Sequence, residues 1–418
     1  MRWAARALVS AFFFALSVTL ALTSTRVIAA SPPVAGDTPN FVVLNATDLA
    51  RSRARLRSGD DALRPALSKL QREADRVLKE APVSVTQKQW LPPSGDSHDY
   101  MSIAPYWWPN PDTTNGLPYV RHDGKINPER DRASDRKPLD QLVQGVQTLS
   151  LAYYFTGKEI YAEHAAKLLR VWFLDRATRM NPHLRYAQAI PGRNTGRGNG
   201  IIETHDLPEL IDAVALLQAS NRWTRTDHNR LRDWFGAYLD WLQESAEGKA
   251  EAKARNNHGT WYDVQAASFA TFTGREHAAR EVLRQLPTKR IAQQVESDGR
   301  QPRELARTQA WQYSLFNLEG LFDAAALAGK VGIDLWKYET ADKRSIRSAL
   351  EWLIPFATGE KTWPYKEITT VEPQKLAPLL RRAANAYREP RYEKVIAKLP
   401  KLSGDERWQL LHPNDTNQ

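Results

Sequence analysis

One short run of polar and aromatic residues has the types and spacing that suit an anion: residues 256–262 read NNHGTWY. Two amides and an imidazole stand directly before an apolar segment, 264–272, that is predicted to be helical. Backbone N–H donors and the positive end of the helix dipole collect where a helix starts. We therefore expect an anion site at Asn256, Asn257 and His258. The alternative is that an asparagine caps the helix and His258 is an ordinary buried side chain.

A second cluster, residues 303–315 (RELARTQAWQYSL), places a guanidinium near a phenol. In one continuous helix Arg307 and Tyr313 would point about 120° apart, so either a helix begins after Arg307 or the two residues flank a substrate. A phenol, with an ordinary pKa of about 10, accepts a proton near neutrality only when cations stabilise its phenolate. The pair is therefore a candidate base. The alternative is a packed tyrosine beside a solvated arginine.

A proline-rich loop carries aromatic side chains that could stack on sugar rings, because each offers a flat apolar face and a polar edge. Its sequence, residues 100–109, is YMSIAPYWWP, and we assign substrate binding to Tyr100, Tyr106, Trp107 and Trp108. The alternative is core packing, which could explain one or two of these aromatics but explains all four of them in a proline-rich loop less easily.

A glycine-rich loop, residues 191–200 (PGRNTGRGNG), resembles a phosphate-binding loop only superficially. It lacks a preceding strand and the Lys-Ser/Thr ending that such a loop needs, so a nucleotide site is not favoured. Asn194, Arg197 and Asn199 could instead hold carboxylates, and a purely structural turn is the alternative.

Composition excludes several classes of protein. The 418 residues are 42% hydrophobic and 25% charged, as in an ordinary soluble protein, and the absence of cysteine excludes disulfides, thiolate metal sites and cysteine nucleophiles. No His-Glu-x-x-His, calcium-loop or Gly-x-Ser-x-Gly pattern occurs. We predict neither a metal nor another cofactor.

The first 30 residues are predicted to be a secretory signal peptide. Arg2 and Arg6 precede an apolar run, 7–22, and a small-residue cleavage site is expected close to Ala30. An uncleaved anchor is the alternative, and no later segment is apolar for long enough to span a bilayer. The net charge of +10 favours attraction to an acidic polysaccharide, since an exported protein meets few nucleic acids. We expect a periplasmic protein.

Helical periodicity dominates the rest of the chain. The pattern after Thr226 is a clear amphipathic helix with Thr226 or Asp227 as its cap. Further helices are predicted at 61–80, 137–156, 158–174, 207–219, 262–273, 276–286, 315–329, 342–357 and 374–387, and a short strand is predicted at 41–44. Short breaks between long helices indicate antiparallel hairpins. We predict an all-α fold, an α/α toroid that is either open or closed.

Two long stretches, 84–136 and 181–204, contain too much proline and glycine for helices. Loops of that length in a compact domain are usually functional, so both are predicted to form walls of a cleft. With no linker in between, residues 31–412 are predicted to be one domain, followed by a disordered tail, 413–418.

At these residues the chain resembles the alginate lyase superfamily of helical-toroid polysaccharide lyases. The similarity spans about 95–320 and is carried by the segments 99–102 (DYMS), 106–109 (YWWP), 191–204, 256–262 (NNHGTWY) and by Arg307 with 313–315 (YSL). It is greatest to the branch that cleaves β-linked uronates, polymannuronate or glucuronan. The resemblance implies an enzyme that needs no metal or cofactor and forms unsaturated uronides by β-elimination.

The resemblance also implies roles for the site residues. The enzyme removes the proton at C5 of a uronic acid, next to the carboxylate, and expels the 4-linked sugar, so the carboxylate must be neutralised as an enolate forms. Asn257 and His258 would do this, assisted by Asn199 or Asn194.

For the proton transfers, the resemblance implies that Arg307 stabilises the phenolate of Tyr313. Tyr313 would take the C5 proton and return one to the glycosidic oxygen when both lie on the same side of the ring. His258 is the candidate base when the proton lies on the opposite side. Apart from these catalytic candidates, the full set of substrate-binding candidates is Asn194, Arg197, Tyr100, Tyr106, Trp107, Trp108, Asn256, Trp261, Arg303 and Trp311.

Two other functions fit the sequence. A glycoside hydrolase on a similar toroid would use two carboxylates such as Glu203 and Asp263, whereas a non-catalytic exopolysaccharide-binding protein would use the Trp-rich cleft alone. In all three cases the expected partner is an anionic polysaccharide, with no nucleic acid, membrane insertion or obligate protein partner.

Overall fold

Helices form most of the chain that the computed structural model describes, which is residues 40–132, 134–402 and 406–414. The α-helices are α1 Ala46–Arg57, α2 Arg64–Val77, α3 Glu129–Arg132, α4 Arg136–Thr156, α5 Glu159–Leu169, α6 Leu207–Leu217, α7 Arg225–Glu244, α8 Ala246–Ala252, α9 Asn257–Phe272, α10 Glu276–Leu286, α11 Ala292–Gln294, α12 Pro302–Leu305, α13 Ala310–Lys330, α14 Ile346–Ala357, α15 Ala377–Tyr387, α16 Arg391–Ile396 and α17 Arg407–Leu411. The strands are β1 Met101–Ile103, β2 Trp107–Trp108, β3 Val120–Arg121 and β4 Tyr186–Ala189. Among these helices none is long and apolar enough to cross a membrane.

Four long helices pack side by side in chain order: α4 on α6, α6 on α9 and α9 on α13. α5 packs on α4, and both α7 and α10 pack on α9. α9 is buried along nearly its whole length, as expected of a helix that is covered on all sides. This succession of helix hairpins is the all-α toroid that the sequence predicts.

α7 forms where the sequence pattern predicts an amphipathic helix. Its apolar stripe, which includes Leu231, Phe235 and Leu239, is buried in the core. The helix begins at Arg225, slightly before the predicted cap, because Thr224 and Asp227 form a reciprocal capping box.

The predicted strand at 41–44 is wrong, since the structure shows a bend there. The backbone N–H groups of Val42, Val43 and Leu44 all donate to the carboxylate of Asp212 on α6, at 2.9 Å for Val43 and 2.7 Å for Leu44. A buried side chain therefore takes the place of a strand partner. Burial raises the pKa of Asp212 to about 6, although Lys330 and these three donors oppose the increase.

We expect Asp212→Ala to lower the free energy of unfolding by at least about 3 kcal/mol, because an unsatisfied buried donor costs about 1–3 kcal/mol and three donors lose their acceptor. Asp212→Asn keeps one acceptor and should lose less. Urea unfolding followed by circular dichroism measures both, with Asp233→Ala on the exposed side of α7 as the control. An Asp212→Ala midpoint equal to that of the wild type would contradict this account.

The two predicted cleft walls are joined by short strands. β1, in the first loop, pairs in parallel with β4, in the second loop. β2 and β3 form an antiparallel pair within the first loop. These contacts hold both loops together above the ends of the toroid helices.

Some predictions fall outside the described residues. The signal peptide, 1–30, and the last four residues, 415–418, are among them. At the start of the predicted tail, the carbonyl oxygens of Pro413 and Asn414 accept hydrogen bonds from Asn385 and Arg55.

Candidate active site

A cavity of about 660 Å³ opens between the two loops and the first turns of α9 and α13. Both loops predicted to be cleft walls contribute to its lining, which confirms that prediction. Asn257 and His258 line it from the start of α9, and Arg307 and Tyr313 line it from the region where α13 starts. The two clusters found in the sequence therefore share one cavity.

Arg307 and Tyr313 are in direct contact. α12 ends at Leu305 and α13 begins at Ala310, so Arg307 lies in the break between helices and the continuous-helix geometry does not apply. Its Nη2 donates to the Tyr313 hydroxyl at 2.8 Å, and its guanidinium lies 3.7 Å from the centre of the phenol ring. The Tyr313 hydroxyl is also 2.6 Å from the hydroxyl of Tyr106.

A carboxylate lies on the other side of Arg307. Asp123 accepts from Arg307 Nε at 3.2 Å and from Nη2 at 2.9 Å, and it also accepts from the backbone and hydroxyl of Thr308. The next residue must be small, because a Cβ on Gly124 would lie 2.4 Å from the Thr308 hydroxyl. The hairpin that carries Tyr106 is thereby attached to the segment that carries Arg307.

Opposing effects set the pKa of Tyr313. Burial raises this pKa above its ordinary value and Tyr106 adds to the increase, while the charge of Arg307 lowers it. The net shift is upward, so Arg307 alone does not bring the pKa of the phenol into the neutral range. Arg307 itself is held in its charged form by Asp123.

Asn257 is the first residue of α9 and is buried. Glu304, on α12, accepts from its backbone N–H at 2.7 Å and from its side-chain Nδ2 at 2.6 Å. Burial raises the pKa of Glu304, and the hydrogen bonds from Asn257 oppose that increase. Asn256, the preceding residue, also lines the cavity.

His258 lines the same wall, one residue further along α9. Its Nδ1 is hydrogen-bonded to the buried carboxylate of Glu251 on α8. This leaves Nε2, on the opposite edge of the ring, as the nitrogen available to the cavity.

The glycine-rich loop contributes one of its two candidate asparagines. Asn199 lines the cavity, whereas Asn194 is exposed and accepts from the backbone of Ile190 within the loop. Arg197 lines the cavity as well, and it donates to the side chain of Gln188 at 2.7 Å. The structure thus favours Asn199 over Asn194 for contact with a substrate.

Comparison with known proteins decides the family. The family model described as alginate lyase matches residues 84–363, which is about two thirds of the chain. A solved alginate lyase from Bacteroides ovatus is 40% identical, with a TM-score of 0.86 over 90% of this chain and 99% of that chain. The chain belongs to the alginate lyase family. It is therefore a polysaccharide lyase.

More distant structures share the fold. Alginate lyase A1-III from Sphingomonas species A1 is 16% identical, with a TM-score of 0.58 over 90% of this chain and 99% of that chain. A variant of that lyase, solved in complex with a tetrasaccharide, gives a TM-score of 0.56 at the same identity, over 90% of this chain and 98% of that chain. Comparison with curated protein sequences gives no significant match.

The predictions for the aromatic residues are partly wrong. Tyr106 and Trp107 line the cavity. Tyr100 has no exposed surface and donates to Glu203 at 2.8 Å, so it lies beneath the cavity and cannot stack on a sugar. Trp108 lies outside the lining and donates to the carbonyl of Lys125.

Three other predicted substrate-binding residues also lie outside the cavity lining. Trp261 is 4% exposed and donates to the carbonyl of Phe316, so it supports a lining residue from behind. Trp311 is 2% exposed and donates to the carbonyl of Glu372. Arg303 is exposed on α12 and does not reach the cavity.

Several lining residues were not predicted from the sequence. They are Arg121, Arg130, Arg136, Gln188, His205, Gln309, Gln312 and Phe316. Both long loops were predicted to be walls of the cleft, so the arginines within them could have been predicted to line the cavity. With Arg197 and Arg307 the cavity has five arginines, and Glu203 is the one carboxylate among the described residues that line it.

The two carboxylates considered for a hydrolase do not face each other across this cavity. Glu203 is buried and accepts from Tyr100 and Ser102. Asp263 lies outside the lining, where Arg290 donates to it at 2.7 Å. Within the described residues no group of three or more His, Asp or Glu could hold a metal ion.

Proposed function

We propose that this lyase cleaves 4-linked uronic-acid polymers of the alginate type by metal-independent β-elimination and releases unsaturated uronides. The observation that carries the proposal is the Tyr313 hydroxyl, held by Arg307 at 2.8 Å in a cavity that it shares with Asn257 and His258. The 40% identical alginate lyase from Bacteroides ovatus supports the choice of polymer.

The reaction needs a stabilised carboxylate, because the proton at C5 becomes acidic only as charge moves onto the carboxylate oxygens. Asn257 and His258 at the start of α9 supply polar groups at the positive end of a helix dipole. Asn199 reaches the cavity from the glycine-rich loop. Asn257 and Asn199 form the proposed carboxylate site, and His258 joins them when it is protonated.

Tyr313 is the proposed base and acid for a uronate whose C5 proton and leaving oxygen lie on the same side of the ring, as in polymannuronate. The phenolate would take the C5 proton, and the phenol would return a proton to the glycosidic oxygen of the departing sugar. Arg307 opposes the upward shift of the Tyr313 pKa, so it favours the phenolate in the first half of this cycle.

The charge of the cavity suits a polyanion. Five arginines line it, against the single described carboxylate of Glu203. An excess of positive charge attracts an acidic polymer and speeds its encounter with the site. Export to the periplasm belongs to the same proposal, since such polymers lie outside the cytoplasm.

The purified protein should increase ultraviolet absorbance when incubated with polymannuronate, because elimination creates a conjugated double bond. Polyguluronate and glucuronan test the choice of uronate, and a neutral glucan is the control. A chelator should leave the rate unchanged. Chain shortening without absorbance would indicate hydrolysis, and loss of activity on chelation would contradict the metal-free mechanism.

A further inference from the structure

Glu251 is a buried carboxylate that the proposed chemistry does not use. It lies near the end of α8, is 3% exposed, and its carboxylate contacts Nδ1 of His258. The His258 side chain makes no other hydrogen bond within the described residues. The contact with Glu251 therefore fixes the orientation of the imidazole ring.

An ionised carboxylate only accepts hydrogen bonds, so a neutral imidazole that contacts it must carry its proton on Nδ1. Nε2 then has a lone pair and no proton. Since His258 lines the cavity, this bare nitrogen faces the space where substrate binds.

The position of Glu251 is fixed by the packing of α8. A Cβ on Gly198 would lie 2.6 Å from the carbonyl oxygen of Glu247, so α8 rests directly on the backbone of the glycine-rich loop. At its other end, Arg290 donates to the carbonyls of Ala252 and Ala254 and pairs with Asp263 on α9. α8 is thus attached to both walls that carry the proposed carboxylate site.

We propose that Glu251 is a positioning residue that keeps the proton of neutral His258 on Nδ1 and leaves Nε2 as a proton acceptor in the cavity. The catalytic role of this arrangement depends on the proposed function. Neutral His258 then accepts a proton from the substrate side, and it donates to a carboxylate only after it has become an imidazolium. This deepens the role of His258 as the base for a C5 proton on the side opposite to the leaving oxygen.

Nitrogen NMR of ¹⁵N-histidine-labelled protein tests the proton position without any substrate. The His258 signals are assigned by their loss in His258→Gln. The wild type should show a protonated Nδ1 and a bare Nε2. Glu251→Leu, which offers no acceptor, should move the proton to Nε2, and Glu251→Gln should give a mixture because an amide both donates and accepts. A wild-type proton on Nε2, or an Nδ1 proton that persists in Glu251→Leu, would overturn the proposal.

Kinetics supply the second readout. With polyguluronate, whose C5 proton lies on the side opposite to the leaving oxygen, Glu251→Gln should lower kcat about 10–100-fold, the usual effect of losing a partner that orients a functional histidine, with little change in KM. Glu247→Gln, which makes the same charge change on the same helix, is the matched control and should behave as wild type. An unchanged kcat in Glu251→Gln would also overturn the proposal. If the wild type cleaves no uronan but shows the expected proton position, the proposed function fails and the positioning role stands.

Discussion

Tyr313→Phe should abolish the formation of unsaturated product and leave polymer binding nearly intact. The variant removes the hydroxyl that contacts Arg307 and Tyr106, and it keeps the ring that lies against the guanidinium. Loss of a group that transfers protons costs about 10²–10⁴-fold in rate, and Tyr313 is proposed to act twice in each cycle. The rate comes from product absorbance, and binding comes from calorimetry with a polymannuronate oligosaccharide.

Tyr387→Phe is the matched control for that substitution. Tyr387 is a half-buried tyrosine outside the cavity, and its buried hydroxyl has no hydrogen-bond partner in the part of the chain that the structure describes. It should keep wild-type turnover. Wild-type turnover in Tyr313→Phe as well would remove Tyr313 from the mechanism.

The second large effect is expected for Arg307→Lys. One lysine ammonium cannot reproduce the planar fork that contacts both Asp123 and the Tyr313 hydroxyl. Removal of a preorganised donor at a developing negative charge typically lowers kcat about 10²–10³-fold. We expect a loss of that size although the positive charge is conserved.

The assay for Arg307→Lys is the same absorbance measurement, with thermal unfolding recorded to show that the variant is folded. Arg300→Lys makes the same exchange at an exposed position and should be neutral. A kcat for Arg307→Lys within twofold of the wild type would show that charge alone is sufficient at this position.

The sequence predicted the shared cavity because its two chemical clusters are local. The run at 256–262 contains Asn257 and His258 side by side, and Arg307 is only six residues from Tyr313. Each cluster therefore reaches the cavity as a unit once α9 and α13 are in place. Helix periodicity was sufficient to predict those two helices, although both begin earlier than expected.

The carboxylates behind these residues could not be predicted in the same way. Glu304 lies 47 positions from Asn257, and Asp123 lies 184 positions from Arg307. Nothing in the local sequence distinguishes them from exposed acids on a helix or a turn. Their pairing depends on which segments the toroid brings together.

The aromatic loop shows a second limit. Tyr100 and Tyr106 belong to the same loop and look equivalent in the sequence, yet one is buried beneath the cavity and the other contacts Tyr313. Between these two tyrosines, β1 pairs in parallel with β4 of the second loop. That pairing joins residues about 85 positions apart in the chain, so no local pattern reveals it.

The most direct test of the central claim, that Tyr313 removes the C5 proton beside a stabilised carboxylate, uses an oligouronide with deuterium at C5. Its elimination by the wild type should be slower than that of the protiated substrate in kcat/KM, and Tyr313→Phe should form no unsaturated product from either. Equal rates for the two substrates together with product formation by Tyr313→Phe would contradict the account.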